Sequence, residues 1–290
     1  MSVKVDCSNC DQQNWVDFET LRQLQRVKCE GCGISYDLFG VYEALYESNP
    51  LCKEIVDVSV KSAHTNYVVE AGNATERGVI LDSLESNSFQ SKSKKMMRDL
   101  TILGNSFLQI TPKKEIQFKR LEPSQLDFTI DWVQEPPFRA LQQKIVEIRK
   151  HDEPSEKYEI SDVLHFKSGS VGYDPFGQSI FGFWFASWYF LREMSKNAPL
   201  RELRKHQNLQ WFQDFRKSTV LAATAVPHHL LFPWMKIDPK VIKIEEDRFQ
   251  HYIERRRNEV SWLIERELFP RILKRKFKYE NFPRLKWKSS

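Results

Sequence analysis

Hydrophobic and polar residues follow two different periods along this 290-residue chain, and together they predict an α+β fold. A period of two predicts short strands at residues 66–70, 105–110, 116–121, 127–132, 144–150, 163–167 and 284–288. A period of three to four predicts helices at residues 51–62, 88–100, 179–198 and 245–276. The region 40–175 is therefore expected to combine helices with short antiparallel strands, and long helices are expected to dominate after it.

The segment 159–203 differs from the rest of the chain because a strand, a glycine-rich turn and an aromatic helix follow one another directly. The turn contains Gly169, Gly172, Pro175 and Gly177. The helix after it carries the apolar residues Phe181, Phe183, Trp184, Phe185, Trp188, Tyr189, Phe190 and Leu191. Successive residues of a helix are about 100° apart, so these side chains point almost all round its axis.

An apolar surface all round a helix has two explanations. Little else in a chain of this length remains to cover the far face, so we expect neighbouring copies of the chain to cover it. Trp184, Phe185, Trp188 and Tyr189 are the predicted residues of this oligomer interface. The alternative is a central core helix of a monomeric domain, because helices that are apolar all round are often simply buried.

Two CxxC pairs in the first part of the chain predict a structural zinc site. Cys7 and Cys10 form the first pair and Cys29 and Cys32 the second, with 18 residues between the pairs. Four thiolates at this spacing give a closed tetrahedral shell, so residues 1–38 are predicted to form a small zinc ribbon around one Zn²⁺. Four ordinary buried thiols or two disulfides are the alternatives, and disulfides are disfavoured in a reducing cytosol.

Charge and hydropathy narrow the choice of partners. The net charge of +5 and the pI of about 8.8 make the chain mildly basic, which is compatible with a nucleic-acid partner but does not require one. The predicted DNA contacts are Arg201, Arg204, Lys205, Arg216 and Lys217. The charge runs at 92–95 and 271–278 are expected to be solvated faces rather than DNA contacts. No apolar run reaches the ~20 residues that cross a bilayer, so no membrane partner is expected.

The sequence contains no pattern typical of an enzyme. A Walker A loop, a GxSxG elbow and an HExxH helix are all missing, so no catalytic activity is expected. The adjacent His228 and His229 are not expected to bind metal, because no carboxylate is predicted to orient either of them. The acidic run 245–247 is predicted to be the first turn of the final helix, where it would complement the helix dipole.

Five short motifs occur along the chain in a fixed order and spacing. They are Gly104-Asn105-Ser106-Phe107, Leu121-Glu122-Pro123, Asp162-Val163-Leu164-His165-Phe166-Lys167, Asp174-Pro175-Phe176-Gly177-Gln178-Ser179 and Val226-Pro227. Through this series, residues 40–290 resemble the portal proteins of tailed bacteriophages and related archaeal viruses. The third and fourth motifs correspond to the strand and the turn that lead into the stem helix of that family.

The resemblance implies both an architecture and a function. Residues 39–175 would form a portal-like wing domain, and residues 176–290 would form stem-type helices with a shortened clip. The chain would assemble into a homo-oligomeric ring at the capsid vertex, through which double-stranded DNA is packaged and ejected without base preference. The implied partners are capsid protein, packaging terminase and head–tail adaptor, and the implied location is the virion, reached from the host cytoplasm.

Two features depart from the portal pattern. Only about 25 residues, Ala198 to Leu221, are available for a clip and a returning stem helix, which is a short connection. A zinc ribbon before the wing is not a feature of most portal proteins. The second hypothesis is therefore that the chain is a zinc-ribbon nucleic-acid-binding or regulatory protein. It would act through the cysteine pairs and the basic C-terminal region.

Overall fold

A computed structural model divides the chain into two compact units, residues 1–58 with 179–252 and residues 59–178 with 253–290. Its helices and antiparallel strands confirm the predicted α+β class. The residues that it describes are 2–6, 10, 12–17, 27–33, 35–48, 50–111, 116–134, 141–153, 155–169, 175–181, 226–231, 237–274 and 283–288.

The first unit begins with two antiparallel hairpins. Strand β1 (Ser2–Asp6) pairs with β2 (Gln13–Asp17), and β3 (Val27–Lys28) pairs with β4 (Ser35–Tyr36). Helix α1 (Leu38–Ser48) follows directly, and Asp37 caps it by accepting the backbone N–H of Gly40 at 2.9 Å.

Helix α2 (Pro50–Ala63) confirms the helix predicted at residues 51–62. Ile55 and Val56 are fully buried, as the helical spacing of apolar residues in this segment requires. A hydrogen bond of 2.9 Å from the Tyr46 hydroxyl to the Asp57 carboxylate joins α1 to α2.

The second unit continues with strand β5 (Tyr67–Glu70) and helices α3 (Ala74–Ser86) and α4 (Phe89–Ile102). Helix α4 buries one face, because its apolar residues recur every three or four positions; they are Phe89, Met96, Met97 and Leu100. Asn87 and Ser88 precede this helix, and both residue types are common helix caps. Ser88 makes no capping hydrogen bond, and the Asn87 side chain binds the neighbouring sheet instead.

Two three-stranded antiparallel sheets carry the core of the second unit. In the first, β6 (Asn105–Thr111) lies between β7 (Gln117–Leu121) and β11 (Val163–Lys167). In the second, β9 (Leu141–Lys150) lies between β8 (Leu126–Gln134) and β10 (Lys157–Tyr158). These elements confirm the strands predicted between residues 105 and 167.

One buried side chain from each of six strands forms a common hydrophobic cluster; the residues are Phe107, Leu121, Leu126, Ile148, Tyr158 and Val163. Burying a large apolar side chain contributes about 1.5–3 kcal/mol. The cluster therefore holds the first residue of β11 and the middle of β6 in one core.

The remaining described elements are α5 (His228–Leu231), α6 (Pro239–Leu263), a π-helical turn (Ile264–Leu268), α7 (Phe269–Ile272) and β12 (Arg284–Trp287). The apolar residues of the final helical segment are buried as predicted; they are Phe249, Ile253, Val260, Ile264 and Leu268. Strand β12 confirms the C-terminal strand and pairs with β5.

The boundaries predicted for the final helix are wrong at both ends. Helix α6 begins at Pro239, because the Asp238 carboxylate accepts the backbone N–H of Lys240 at 2.8 Å and proline is well suited to the first helical position. The acidic run 245–247 therefore lies in later turns and does not complement the start of the helix. At the other end, helical structure stops at Ile272 rather than at residue 276.

Candidate metal centre and strand junction

Three cysteine side chains converge in the first unit. The sulfur atoms of Cys10, Cys29 and Cys32 all lie within 4.8 Å of one another, and those of Cys10 and Cys29 are 3.7 Å apart. A disulfide between this pair would need about 2.05 Å. Sulfurs arranged tetrahedrally at about 2.3 Å from one zinc ion lie about 3.8 Å from each other, so the spacing fits thiolate ligands of a common metal.

Two glycines shape the turn that contains Cys29 and Cys32. The N–H of Gly31 points at the Cys29 sulfur at 3.4 Å, and such a donor favours the thiolate form. A β-carbon at Gly31 would lie 3.2 Å from the Cys10 sulfur, so a side chain there would crowd the cluster. Gly33 has φ of 75°, a conformation that glycine adopts without strain, and its N–H donates to the Cys29 carbonyl at 2.9 Å.

Of the two other cysteines, the structure describes only Cys52, which is not part of this cluster. Cys7, the fourth predicted ligand, lies outside the described residues. Cys52 is buried on α2, and burial raises the pKa of its thiol to about 12, so it stays protonated at neutral pH. The structure therefore brings together three of the four predicted ligands.

A second candidate site is the junction where β11 leads into the glycine-rich turn, and Asn105 is its centre. The Asn105 side-chain oxygen accepts the N–H of Gly177 at 2.8 Å and lies 2.9 Å from Nε2 of His165. Its side-chain nitrogen donates to the carbonyls of Leu103 at 2.9 Å and Gly177 at 3.2 Å. One buried amide thus joins the start of β6, strand β11 and the turn.

The backbone of the turn completes this junction. Ser168 donates its N–H to the carbonyl of Gly104 at 2.9 Å and accepts the N–H of Gln178 at 2.6 Å. A β-carbon at Gly177 would overlap the Gly104 carbonyl oxygen and lie 2.6 Å from the Ser168 nitrogen. Only glycine fits at position 177, because backbone atoms cannot move aside as a flexible side chain can.

His165 is a neutral donor in this junction. Its ring stacks on Phe107 with centroids 4.4 Å apart and meets the edge of Phe176 at 6.2 Å. Burial, and secondly the charge of Lys167, lower the pKa of His165 to about 3. Since the Asn105 side-chain nitrogen already donates twice, its oxygen is the acceptor and Nε2 of His165 carries the hydrogen.

One sequence-based expectation about charged residues is wrong, and a second is wrong at one of its residues, because Lys94 and Lys95 are exposed as predicted but Lys92 is not. The Glu246 carboxylate lies 3.4 Å from Nε2 of His229, so a carboxylate does reach this histidine. Pairing α5 with α6 brings the two together, which the local sequence did not indicate. Lys92 is not a solvated surface charge: its ammonium group donates to the carbonyls of Asn87 at 2.6 Å and Phe118 at 2.7 Å.

Sequence reasoning also missed a buried ion pair of the second unit. The Arg120 guanidinium donates two hydrogen bonds, of 2.6 and 2.7 Å, to the Asp99 carboxylate, which is 2 % exposed. Asp99 lies on the apolar face of α4, and an acidic residue at a buried position usually has a charged partner. That position in the sequence could have predicted the ion pair.

The other predicted site residues lie outside the described residues. These are Trp184, Phe185, Trp188 and Tyr189 of the predicted oligomer interface, and the predicted DNA contacts Arg201, Arg204, Lys205, Arg216 and Lys217. None of the described helices combines the length and the apolar character that crossing a bilayer requires.

Comparison with known proteins finds similarity of fold and no match in sequence. No protein-family model matches the chain, and no curated protein matches it in sequence. A chain from the "neck of empty GTA particle computed with C6 symmetry" is 12% identical, with a TM-score of 0.53, covering 86% of this chain and 84% of that one. A chain from the "neck of native GTA particle computed with C12 symmetry" is 12% identical, with a TM-score of 0.50, covering 91% of this chain and 86% of that one.

A third similar chain comes from the "virion of native gene transfer agent (GTA) particle". It is 12% identical, with a TM-score of 0.48, and the match covers 85% of this chain and 83% of that chain. The two matches with TM-scores of 0.53 and 0.50 show that this chain shares its fold with those chains over most of their length.

Proposed function

We propose that the chain is a portal-type subunit that assembles into a homo-oligomeric ring at a capsid vertex and lets DNA pass. The observation that carries this proposal is the junction around Asn105. It joins three of the motifs that resemble portal proteins, at residues 104–107, 162–167 and 174–179, into one hydrogen-bonded structure. That structure lies immediately before the aromatic segment that the resemblance identifies as the stem.

The structural neighbours support this proposal at the level of fold. Two of them come from the neck of a particle and are described with sixfold and twelvefold symmetry. Such rotational symmetry is what a ring of identical subunits would have. A fold alone does not determine a function, so the proposal depends on the junction and on the order of the motifs together.

In this proposal each part of the chain has one role. Residues 39–175 form the wing, and residues 176–290 form the stem and C-terminal region. The ring binds capsid protein, packaging terminase and head–tail adaptor, has no catalytic activity, and belongs to the virion. Basic residues of the stem region guide double-stranded DNA through weak contacts with its phosphates.

Electron microscopy of the purified chain tests the proposal, because a ring with a central channel is distinguished at sight from a monomer. We expect rotationally symmetric rings. A preparation that contains only single chains would contradict the portal function and favour the zinc-ribbon regulatory hypothesis, particularly if the chains also bound one DNA sequence tightly.

We propose in addition that Cys10, Cys29 and Cys32, together with Cys7, hold one structural Zn²⁺. The three converging sulfurs and the glycine at position 31 support this assignment. Bound zinc would supply cross-linking energy to the loops and no reaction chemistry. Metal analysis of protein purified under reducing, chelator-free conditions is expected to find about one zinc per chain, and protein without metal would refute the site.

A further inference from the structure

We infer that the second unit carries two surfaces for ring assembly, so that Trp262 of one copy packs against Val79 of the next copy. The partner is a second copy of this chain, and the inference therefore rests on the homo-oligomeric ring proposed above. This contact is additional to the one predicted for the aromatic segment and lies in a different part of the chain.

Trp262 and Val79 are the two most exposed large hydrophobic side chains among the described residues of the second unit, at 57 % and 45 %. A single exposed apolar residue is ordinary on a protein surface. These two differ from such cases because charged residues surround each of them, with opposite sign at the two places. They therefore suit each other as the apolar centre of one interface with a charged rim.

The tryptophan surface is formed at the end of α6 and in the π-helical turn by Arg255, Glu259, Trp262 and Arg266. The Arg266 guanidinium lies over the Trp262 ring, with its central carbon 5.4 Å from the ring centroid. The Arg255 side chain is 67 % exposed and pairs with Glu259 at 3.1 Å, and Glu259 also pairs with Arg256 at 3.3 Å. Because two arginines share the one carboxylate and Arg266 adds a further positive charge, this surface is positive.

The acidic surface is the exposed face of α3 around Val79, and its charged residues are Asp82 and Glu85. Asp82 follows Val79 by three positions, and Glu85 follows Asp82 by three, so each is a neighbour of the residue before it on the helix. Arg77 is the basic residue of α3. It lies two positions before Val79, about 200° away round the helix, and therefore outside this face.

A contact between the tryptophan surface and the acidic surface is head-to-tail, because each copy offers a different patch to each neighbour. Contacts of this kind close into a ring when the rotation between copies allows it. Tryptophan and arginine often carry most of the binding energy of a protein interface, and complementary charges select the partner and its register. DNA suits the tryptophan surface less well, because Glu259 would repel its phosphates.

Complementary charge reversals in the full chain test the inference by sedimentation velocity. Arg266→Glu makes both surfaces of a copy negative, whereas Asp82→Lys combined with Glu85→Lys makes both positive, so copies of either variant repel one another. We expect each variant alone to need at least about tenfold more protein than the native chain to form rings. An equimolar mixture is expected to assemble near the native concentration, because alternating copies join opposite charges at every contact.

Lys95→Glu is the matched control, because it reverses an exposed charge on α4 outside both surfaces and is expected to assemble as the native chain does. If either variant alone assembles like the native chain, or the mixture assembles no better than its components, the inference fails and the ring stands. Arg266→Glu rings that form normally but bind DNA more weakly would assign the tryptophan surface to DNA instead. A native protein that forms no rings would contradict the proposed function as well.

Discussion

Among the described glycines, Gly177 is the one at which a side chain would have the least room. A β-carbon there would overlap the Gly104 carbonyl and lie 2.6 and 2.8 Å from the backbone nitrogen and oxygen of Ser168. We expect Gly177→Ala to lower the free energy of unfolding by about 3 kcal/mol, the upper end of the usual cost of overpacking. Urea unfolding of the purified variant measures this loss.

Gly78 provides the matched control because it lies within α3 with no atom near the place of its β-carbon. Gly78→Ala is expected to raise the free energy of unfolding by about 0.5–1 kcal/mol, since alanine loses less backbone freedom than glycine in a helix. Equal effects of the two substitutions would show that the junction around Gly177 is looser than its distances indicate.

His165 is expected to make stability depend on pH in a defined direction. Its pKa is about 3 in the folded chain and about 6.5 when unfolded, so between these values only the unfolded chain takes up the proton. The contribution of neutral His165 to the free energy of unfolding is complete above pH 6.5. It is lost as pH falls toward 3, by up to about 1.4 kcal/mol per pH unit.

The variant His165→Gln isolates this effect, because glutamine keeps an N–H donor near Asn105 but does not titrate. The difference in unfolding free energy between the native chain and the variant is expected to shrink from pH 7 to pH 4. His64, whose pKa is also lowered mainly by burial, is present in both proteins and cancels. A difference that stays constant over this pH range would contradict a neutral, buried His165.

At the scale of elements, the outer edge of strand β7 is covered by two side chains from near the start of α4, Asn87 and Lys92. Asn87 donates to the Ile116 carbonyl at 2.8 Å and accepts the Phe118 N–H at 2.7 Å, as a neighbouring strand would do. Lys92 donates to the Phe118 carbonyl at 2.7 Å, and burial lowers its pKa. An exposed edge strand can pair with another chain, so these bonds also protect the sheet from aggregation.

Asn87→Ala is expected to destabilise the chain by about 3 kcal/mol, because it leaves two backbone groups next to β7 without their partner. Asn73→Ala is the control: it removes the exposed N-cap of α3, whose side chain accepts the Glu76 N–H, and is expected to cost about 1 kcal/mol. Urea unfolding measures both losses. Equal, small losses would mean that water replaces Asn87 at the edge of β7.

The local elements of this fold were predictable, whereas the contacts between distant segments were not. Residues 105–121 and α4 follow from local periods and turn residues, and the cysteine cluster follows from the spacing of CxxC pairs. The pairing of Leu285 with Val69, by contrast, is set by burial across the whole chain and leaves no local signal. The meeting of Asn105, His165 and Gly177 likewise required the tertiary structure.

At the scale of the whole molecule, DNA binding is expected to be weak, non-specific and steeply dependent on salt. In the portal account, charges such as Arg201, Arg204 and Lys205 would guide the phosphate backbone, and each phosphate contact would release a counterion. Titration of labelled double-stranded DNA of two unrelated sequences at several salt concentrations measures this. Tight, salt-resistant binding to one of the sequences would favour the regulatory hypothesis.

Assembly is expected to depend on the aromatic segment. Trp184→Glu or Trp188→Glu would bury an unpaired charge between subunits, which is costly, so either change is expected to give soluble single chains or aggregates in place of rings. Sedimentation velocity of each purified variant separates these species. Rings that persist unchanged in both variants would show that the two tryptophans lie away from the subunit interface.

The most direct test of the portal account is the mass of the native protein in solution, measured by light scattering at micromolar concentration in low and in high salt. The account predicts a single species many times heavier than the 34.4 kDa chain at both salt concentrations, because an apolar interface does not weaken with salt. A clean 34.4 kDa monomer under both conditions would contradict it.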